Sequence, residues 1–474
     1  MLDLDLLVIG SGPSGQRAAV QAAKLGKKVA VCEDSARLGG VCMNTGTIPS
    51  KTFREAVLHL TGLQQRHFYG QSYHVKENVT IADLIYHCEH VLTTQADVIR
   101  DQLRRNGITV IRGHARFTGP HDVEVQGESG TTPLHAPFIV LATGTTAAHP
   151  ADVEVDGQTV ITSDNVLGLK ALPRTMTVVG AGVIGIEYAS MFAALGVKVT
   201  LIDKRNRLLD FVDSEIAESL SYQMRGMGAT LRLGEEVAKV QIEGPSRAVA
   251  MLKSGKKIVS EVLLYSVGRV GTTGSMQLDK AGLETDSRGR MSVDAHFRTN
   301  VPHIYAVGDV IGFPALASTS SEQGRLAACH AFGLTTAAMP QLLPFGIYSV
   351  PEISMVGRNE EELTAAGIPY ETGISRYREI VRGVMLGDDS GLLKLLFHRE
   401  TRQLLGVHII GTSATELVHI GQAVIAFGGT IDYFVGNVFN YPTFAECYKV
   451  AALDGYNKLG RDENALPIAP GPAS

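Results

Sequence analysis

Gly10, Gly12 and Gly15 stand at GxGxxG spacing between an apolar run and an Ala-rich run, and Gly180, Gly182 and Gly185 repeat the arrangement later in the chain. Glycines so placed act through what they lack. Without a Cβ the backbone can turn tightly and approach a pyrophosphate, whose charge is favoured by the N-terminus of the helix that follows. A lone copy is a weak signal. Here each copy is followed, about 20 residues on, by an acid at the end of the next apolar run, Glu33 and then Asp203, as a ribose-binding carboxylate requires. Pro13 and Ser14 complete the first turn; Val183 and Ile184 open the helix after the second. Asp203 suits a ribose 2'-hydroxyl, whereas Lys204 and Arg205 beside it suit a 2'-phosphate, so NAD and NADP both remain open.

The elements that must position these residues are legible from pattern. Residues 4–9 read as a buried strand, 10–15 as a turn, 16–25 as a helix and 29–32 as a second strand, the product expected of a parallel βαβ unit. The same order recurs over 175–203, and a strand at 262–267 closes that unit. A long helix is predicted from Ile81 to about Arg105, with Leu84, Ile85, Cys88, Leu92 and Ile99 at helical spacing and Asn106 and Gly107 as its stop. From about Pro344 the texture changes to apolar strands at 392–397 and 404–410 and a helix at 415–427. The expectation is an α/β chain with two Rossmann-like dinucleotide-binding domains, one inserted in the other, and a C-terminal α+β domain. Its divisions are 1–150, 151–275, 276–343 as the return of the first domain, 344–461, and a mobile tail at 462–474.

With 474 residues the chain can hold roughly three domains of about 150 residues each. Its net charge of -5 gives no reason to expect nucleic acid as a partner. No run reaches the roughly 18 apolar residues of a membrane span, and residues 2–9 lack a signal peptide's basic start. Cys32, Cys42, Cys88, Cys329 and Cys447 are scattered, without metal-site spacing. No metal, no membrane and a cytoplasmic location are expected.

The run Gly39, Gly40, Val41, Cys42, Met43, Asn44, Thr45, Gly46, Thr47, Ile48, Pro49, Ser50, Lys51 resembles the active-site segment of the FAD-dependent pyridine nucleotide disulfide oxidoreductases. Residues 142–144, 183–187, 266–269 and 305–309 continue the likeness in the family's order. The resemblance implies FAD held by the first glycine loop with Gly40, Val41, Cys42, Ala115, Thr143, Gly144, Gly308, Asp309, Leu316 and Ala317. It implies NAD(H) or NADP(H) as substrate against the second loop with Val267, Gly268 and Arg269, and Lys51 paired to Glu187 beside flavin N5. Two departures stand out. Thr47 occupies the place of the family's second cysteine, and Tyr441 stands where a histidine precedes Pro442, with Glu446 following. A tyrosine hydroxyl ionises well above neutral pH and is a poor proton shuttle. Residues 46–51 and 439–443 match a branch that has lost the dithiol chemistry. For that branch the resemblance implies flavin-mediated hydride transfer between NADPH and NAD+ by a ping-pong cycle at one nicotinamide site. It further implies a homodimer or larger homo-oligomer, with Tyr441 approaching the flavin face from a second subunit and Glu446 as a further catalytic candidate in the same run; Cys42, without a partner, is expected to be an inert structural thiol. An NAD(P)H diaphorase or quinone reductase, and a flavoprotein redox sensor or scaffold, are the alternatives the sequence leaves open.

Overall fold

The computed structural model describes residues 2–459 apart from 71, 151 and 245, so the tail expected at 462–474 lies outside the described residues. Leu6–Ile9 is four apolar residues, all buried, as a strand covered on both faces must be. It occupies the middle of a five-stranded parallel sheet ordered Ile304–Ala306, Phe138–Leu141, Leu6–Ile9, Val29–Glu33, Thr109–Arg112. The strand starts later than residue 4. Asp5 binds Lys28 through both backbone and carboxylate, and Leu2–Asp3 joins a separate sheet against Gly130–His135. The helix after the first glycine loop is Pro13–Lys24, earlier than residues 16–25 because proline favours the first helical turn.

The second unit is a parallel sheet ordered Val160–Ile161, Val262–Tyr265, Thr175–Val179, Lys198–Asp203, Thr230–Leu233. Its strand from Val262 ends at Tyr265 rather than at 267. Ser266 Oγ turns back onto the carbonyls of Val179 and Gly180, at 2.9 and 3.2 Å. Ile304–Ala306 then pairs with Phe138–Leu141, so the second unit is inserted in the first. The antiparallel ribbon Thr145–Ala147 with Arg269–Gly271 ties the exit of the insertion to its return. The helix Ile81–Arg105 has the expected bounds and opens on a Thr80–Asp83 capping box.

The C-terminal domain is a five-stranded antiparallel sheet, Phe345–Ile347, Ile353–Gly357, Leu404–Ile410, Leu392–His398, Tyr370–Arg376, packed on helices Ala414–Ala426 and Glu446–Lys458. Among the described residues no helix is long and apolar enough to cross a membrane.

Lys394 pins this domain to the inserted one. Its side chain is buried, as is that of Asp213, and Nζ lies 3.0 Å from Asp213, 3.2 Å from Glu215 and in contact with Glu360. Removing the ammonium strands a buried carboxylate, so Lys394→Met is expected to cost about 3–5 kcal/mol. Urea unfolding of the two proteins checks this; a loss under about 1 kcal/mol would mean the carboxylates find other partners.

Candidate functional site

The first glycine loop folds as its residue types demand. Gly10 has φ +104°, and a Cβ there would strike the Ala142 carbonyl; one on Gly15 would strike the Gly10 carbonyl. Gly12 faces open space, so a ligand can approach its backbone. With Pro13 and Ser14 it lines a cleft whose other walls are Gly40, Val41, Cys42, Thr47, Thr143, Gly144, Asp309 and Ala317. Ala142, from the stretch 142–144, also lines it, as do Thr145, Ala315 and Ser320, which were not singled out in the sequence, where small residues carry no chemical signal.

Two helices, Pro13–Lys24 and Ala317–Ala331, start at this cleft, with Leu316 extended as cap of the second. They cross closely because Gly324 leaves room for the Ser14 backbone. Gly308, at φ +79°, packs on the Ser14 side chain. Two helix N-termini and a floor of glycine suit a pyrophosphate. The Thr143 hydroxyl is buried without a partner, as a group awaiting a ligand would be. Burial pushes the Asp309 carboxyl up, opposed by Arg269 and a hydrogen bond to Ser320. The cleft therefore fits a dinucleotide such as FAD. Glu33 is less free than its spacing suggested: Oε2 accepts from the Ser11 amide and hydroxyl, and Oε1 accepts from the Ser35 amide at 2.8 Å. One acceptor position remains for a ribose hydroxyl. Ala115 does not line the cleft; it is a core residue of the strand His114–Phe117.

The second loop repeats this architecture, with Gly180 at φ +104°, Gly182 facing open space and Gly185 pressed on the Gly180 carbonyl. Val183 and Ile184, half-buried, begin the helix Val183–Ala194. Asp203 departs from the expected free acceptor. Oδ2 accepts from the Ala181 amide at 2.6 Å and Arg205 Nη2 at 2.8 Å. Oδ1 accepts from the Arg205 amide and Nε at 2.8 and 3.0 Å. All four acceptor positions are filled. Lys204 is exposed beside it. Val267 is also exposed and Gly268 has φ +128°, but Arg269 is committed to Thr145 and Asp164, pinning the ribbon rather than standing free for a nucleotide.

Thr47 and Lys51 are one turn apart on the helix Thr47–Thr61, so the residue lining the cleft and the cation share a face. Phe53 packs on Phe192, ring centroids 5.9 Å apart, and brings the helix Val183–Ala194 alongside. Lys51 Nζ then meets both oxygens of Glu187 at 2.8 and 2.7 Å. Glu187 is buried and also accepts from the Tyr348 amide at 2.9 Å. Tyr348 was not anticipated; nothing in its local sequence marks a contact across 161 residues.

The five cysteines are free. Burial pushes the Cys42 thiol up, offset in part by its hydrogen bond with Thr47. A raised pKa means less thiolate at neutral pH, so iodoacetamide should label Cys42 more slowly at pH 7 than it labels an unstructured cysteine peptide, and faster as pH passes 9. Rapid labelling at pH 7 would contradict this. Tyr441 and Glu446 are not brought to the cleft by this chain. Tyr441 is exposed on the C-terminal domain, near the almost fully exposed Val438, and one Glu446 carboxylate oxygen is buried without a partner.

Comparison with known proteins places these features in context. Residues 4–324 match the model of the pyridine nucleotide-disulphide oxidoreductases, and residues 343–452 match the dimerisation domain of the same group. The chain is 57% identical over 461 residues to a soluble pyridine nucleotide transhydrogenase of Mycobacterium bovis, covering 97% of this chain and 98% of the relative. A protein of the same name from Salmonella paratyphi C is 44% identical over 463 residues, covering 96% and 99%. Among solved structures, LpdA from Mycobacterium tuberculosis superposes with a TM-score of 0.86 at 25% identity, over 94% of this chain and 99% of that one. The HOCl-induced flavoprotein disulfide reductase RclA from Escherichia coli gives 0.85 at 26% identity, over 95% and 99%.

Proposed function

Because the chain belongs to the pyridine nucleotide-disulphide oxidoreductase family, we propose that it is an oxidoreductase transferring hydride between NADPH and NAD+, as expected of a soluble pyridine nucleotide transhydrogenase. The observation that carries this reading is Thr47. It faces Cys42 from the wall of the flavin cleft, and a hydroxyl there cannot form a disulfide that would take reducing equivalents. FAD, when bound, supplies a two-electron carrier that accepts hydride from one nucleotide and gives it to another. The protein's part is binding and alignment. Gly12, Gly40, Gly144 and the two helix N-termini hold the pyrophosphate, and Asp309 and the Thr143 hydroxyl fix the remaining polar groups. Gly182, Val183 and Ile184 receive the nicotinamide dinucleotide, and the Lys51–Glu187 pair sets the charge where the two rings meet.

One nicotinamide site serves both nucleotides in turn. Residues 1–150 and 276–343 hold FAD, 151–275 hold the nucleotide substrate, and 344–461 form the interface of a homodimer in which Tyr441 of a second copy completes the flavin face. The five free thiols suit a reducing compartment such as the cytoplasm. Anaerobic NADPH is expected to bleach the flavin and added NAD+ to restore its absorbance; initial-rate plots against both nucleotides should be parallel. Intersecting lines would count against a shared site. Absorbance restored by a quinone but not by NAD+ would assign a diaphorase, and no bleaching by NADPH at all would assign a scaffold.

A further inference from the structure

We propose that Tyr348, at the edge of the C-terminal domain, is a positioning residue for the Lys51–Glu187 pair, holding the ammonium with its ring and the carboxylate with its backbone amide. The inference rests on the reading above, that this pair lies beside the flavin. Lys51 Nζ sits 5.0 Å from the centroid of the Tyr348 ring, within the range at which an aromatic face attracts a cation. The Tyr348 N–H donates to Glu187 Oε1 at 2.9 Å. One residue from a third domain therefore touches both members of an ion pair whose partners come from the other two.

The contact is repeated a turn further along each helix. Arg54, buried one turn after Lys51, donates through Nε to the Ser349 carbonyl at 2.8 Å and lies 3.5 Å from Glu352. Ser190, buried one turn after Glu187, accepts from the Val350 amide at 3.0 Å. Three successive residues of the segment are thus registered against both helices, and the segment cannot slide without breaking all three contacts. Thr415 lies beside the tyrosine hydroxyl.

This arrangement answers a specific difficulty. A lysine carries its charge on a flexible four-carbon stem and loses about 2 kcal/mol of rotamer freedom when fixed. Lys51 is still a quarter exposed. The carboxylate occupies one side of the ammonium and the Tyr348 ring covers another, so the charge is held in one place. The C-terminal domain, in this account, does more than join two copies: it sets the electrostatics of the hydride site from behind.

The test is a double-mutant cycle read on the midpoint potential of the bound flavin and on the single-turnover rate of its bleaching by NADPH. Tyr348→Phe, which keeps the ring, should stay within about twofold of the parent in rate. Tyr348→Leu should slow bleaching about three- to tenfold, the range expected for one cation–ring contact, and lower the midpoint potential at unchanged FAD content. In a Lys51→Met background, Tyr348→Leu should change neither quantity, since the charge it positions is gone. Equal slowing by Tyr348→Leu with and without the Lys51→Met change would overturn the proposal, as would an unaltered potential. Should Tyr348→Leu fail to retain FAD, Tyr348→Met keeps the volume and is read by the same criteria. Loss of the transhydrogenase reading is separable, since it is decided by NAD+ addition, whereas the potential is measured with a chemical reductant and no nucleotide.

Discussion

Lys51→Met is expected to lower the rate of flavin bleaching by NADPH about 10²- to 10³-fold, the usual effect of deleting one preorganised electrostatic group from a water-poor site. Lys51 Nζ makes two bonds to Glu187, which is buried and whose carboxylate has, among the described residues, only the Tyr348 amide as a further partner. Methionine matches the length of the stem but leaves a carboxylate unneutralised beside the cleft. The charge that should favour arrival of a negative equivalent is thereby not merely lost but reversed. Glu187→Gln, which keeps Lys51 cationic and can still accept the Tyr348 amide, should cost much less. Stopped-flow absorbance under anaerobic conditions measures both. If the two variants slow bleaching equally, the pair acts as a structural bridge between helices and the electrostatic account is wrong.

Arg205→Ala should weaken NADP+ binding about 10- to 100-fold while tightening NAD+ binding. The size follows from the 1.5–3 kcal/mol typical of a hydrogen bond to a charged group, at about 1.4 kcal/mol per tenfold. The direction follows from the saturation of Asp203. Its carboxylate already accepts from the Ala181 amide and from three atoms of Arg205. An incoming 2'-phosphate must draw the guanidinium away from Asp203, and an incoming 2'-hydroxyl must displace it. On the proposed reading either nucleotide would break the same pair, which would level the two affinities. Without the guanidinium, Asp203 is free to accept a hydroxyl and to repel a phosphate. Titration of the oxidised protein with each nucleotide at fixed ionic strength measures the ratio. An unchanged NADP+ affinity would transfer the phosphate to Lys204, which lies exposed next in the chain.

Much of this site was legible because its signals are local. The glycines at 10, 12 and 15 and at 180, 182 and 185 carry their meaning in a spacing of a few residues, and their acids lie one βα unit away. The helix Ile81–Arg105 was readable to its ends because apolar spacing and an Asn-Gly stop coincide. The hairpin Asp122–Gly127 with Gly130–His135 went unread: its second strand is exposed over its first four residues, and its turn, Glu128-Ser129, lacks the Asn-Gly or Asp-Gly signature. The ring of carboxylates on Lys394 was equally hidden, since Asp213 and Glu360 come from different domains.

The residue order by itself determined that two dinucleotide folds would form, one inside the other, and that Thr47 would stand where the family carries sulfur. These follow from backbone conformation and side-chain identity, which are properties of short segments. Only the tertiary structure decided that Arg205 folds back to fill Asp203, that Arg269 is spent on the ribbon, and that a tyrosine of the C-terminal domain touches both Lys51 and Glu187. Those are contacts between groups far apart in the chain or between rotamers of long side chains, and such contacts are selected by packing, which no local pattern encodes.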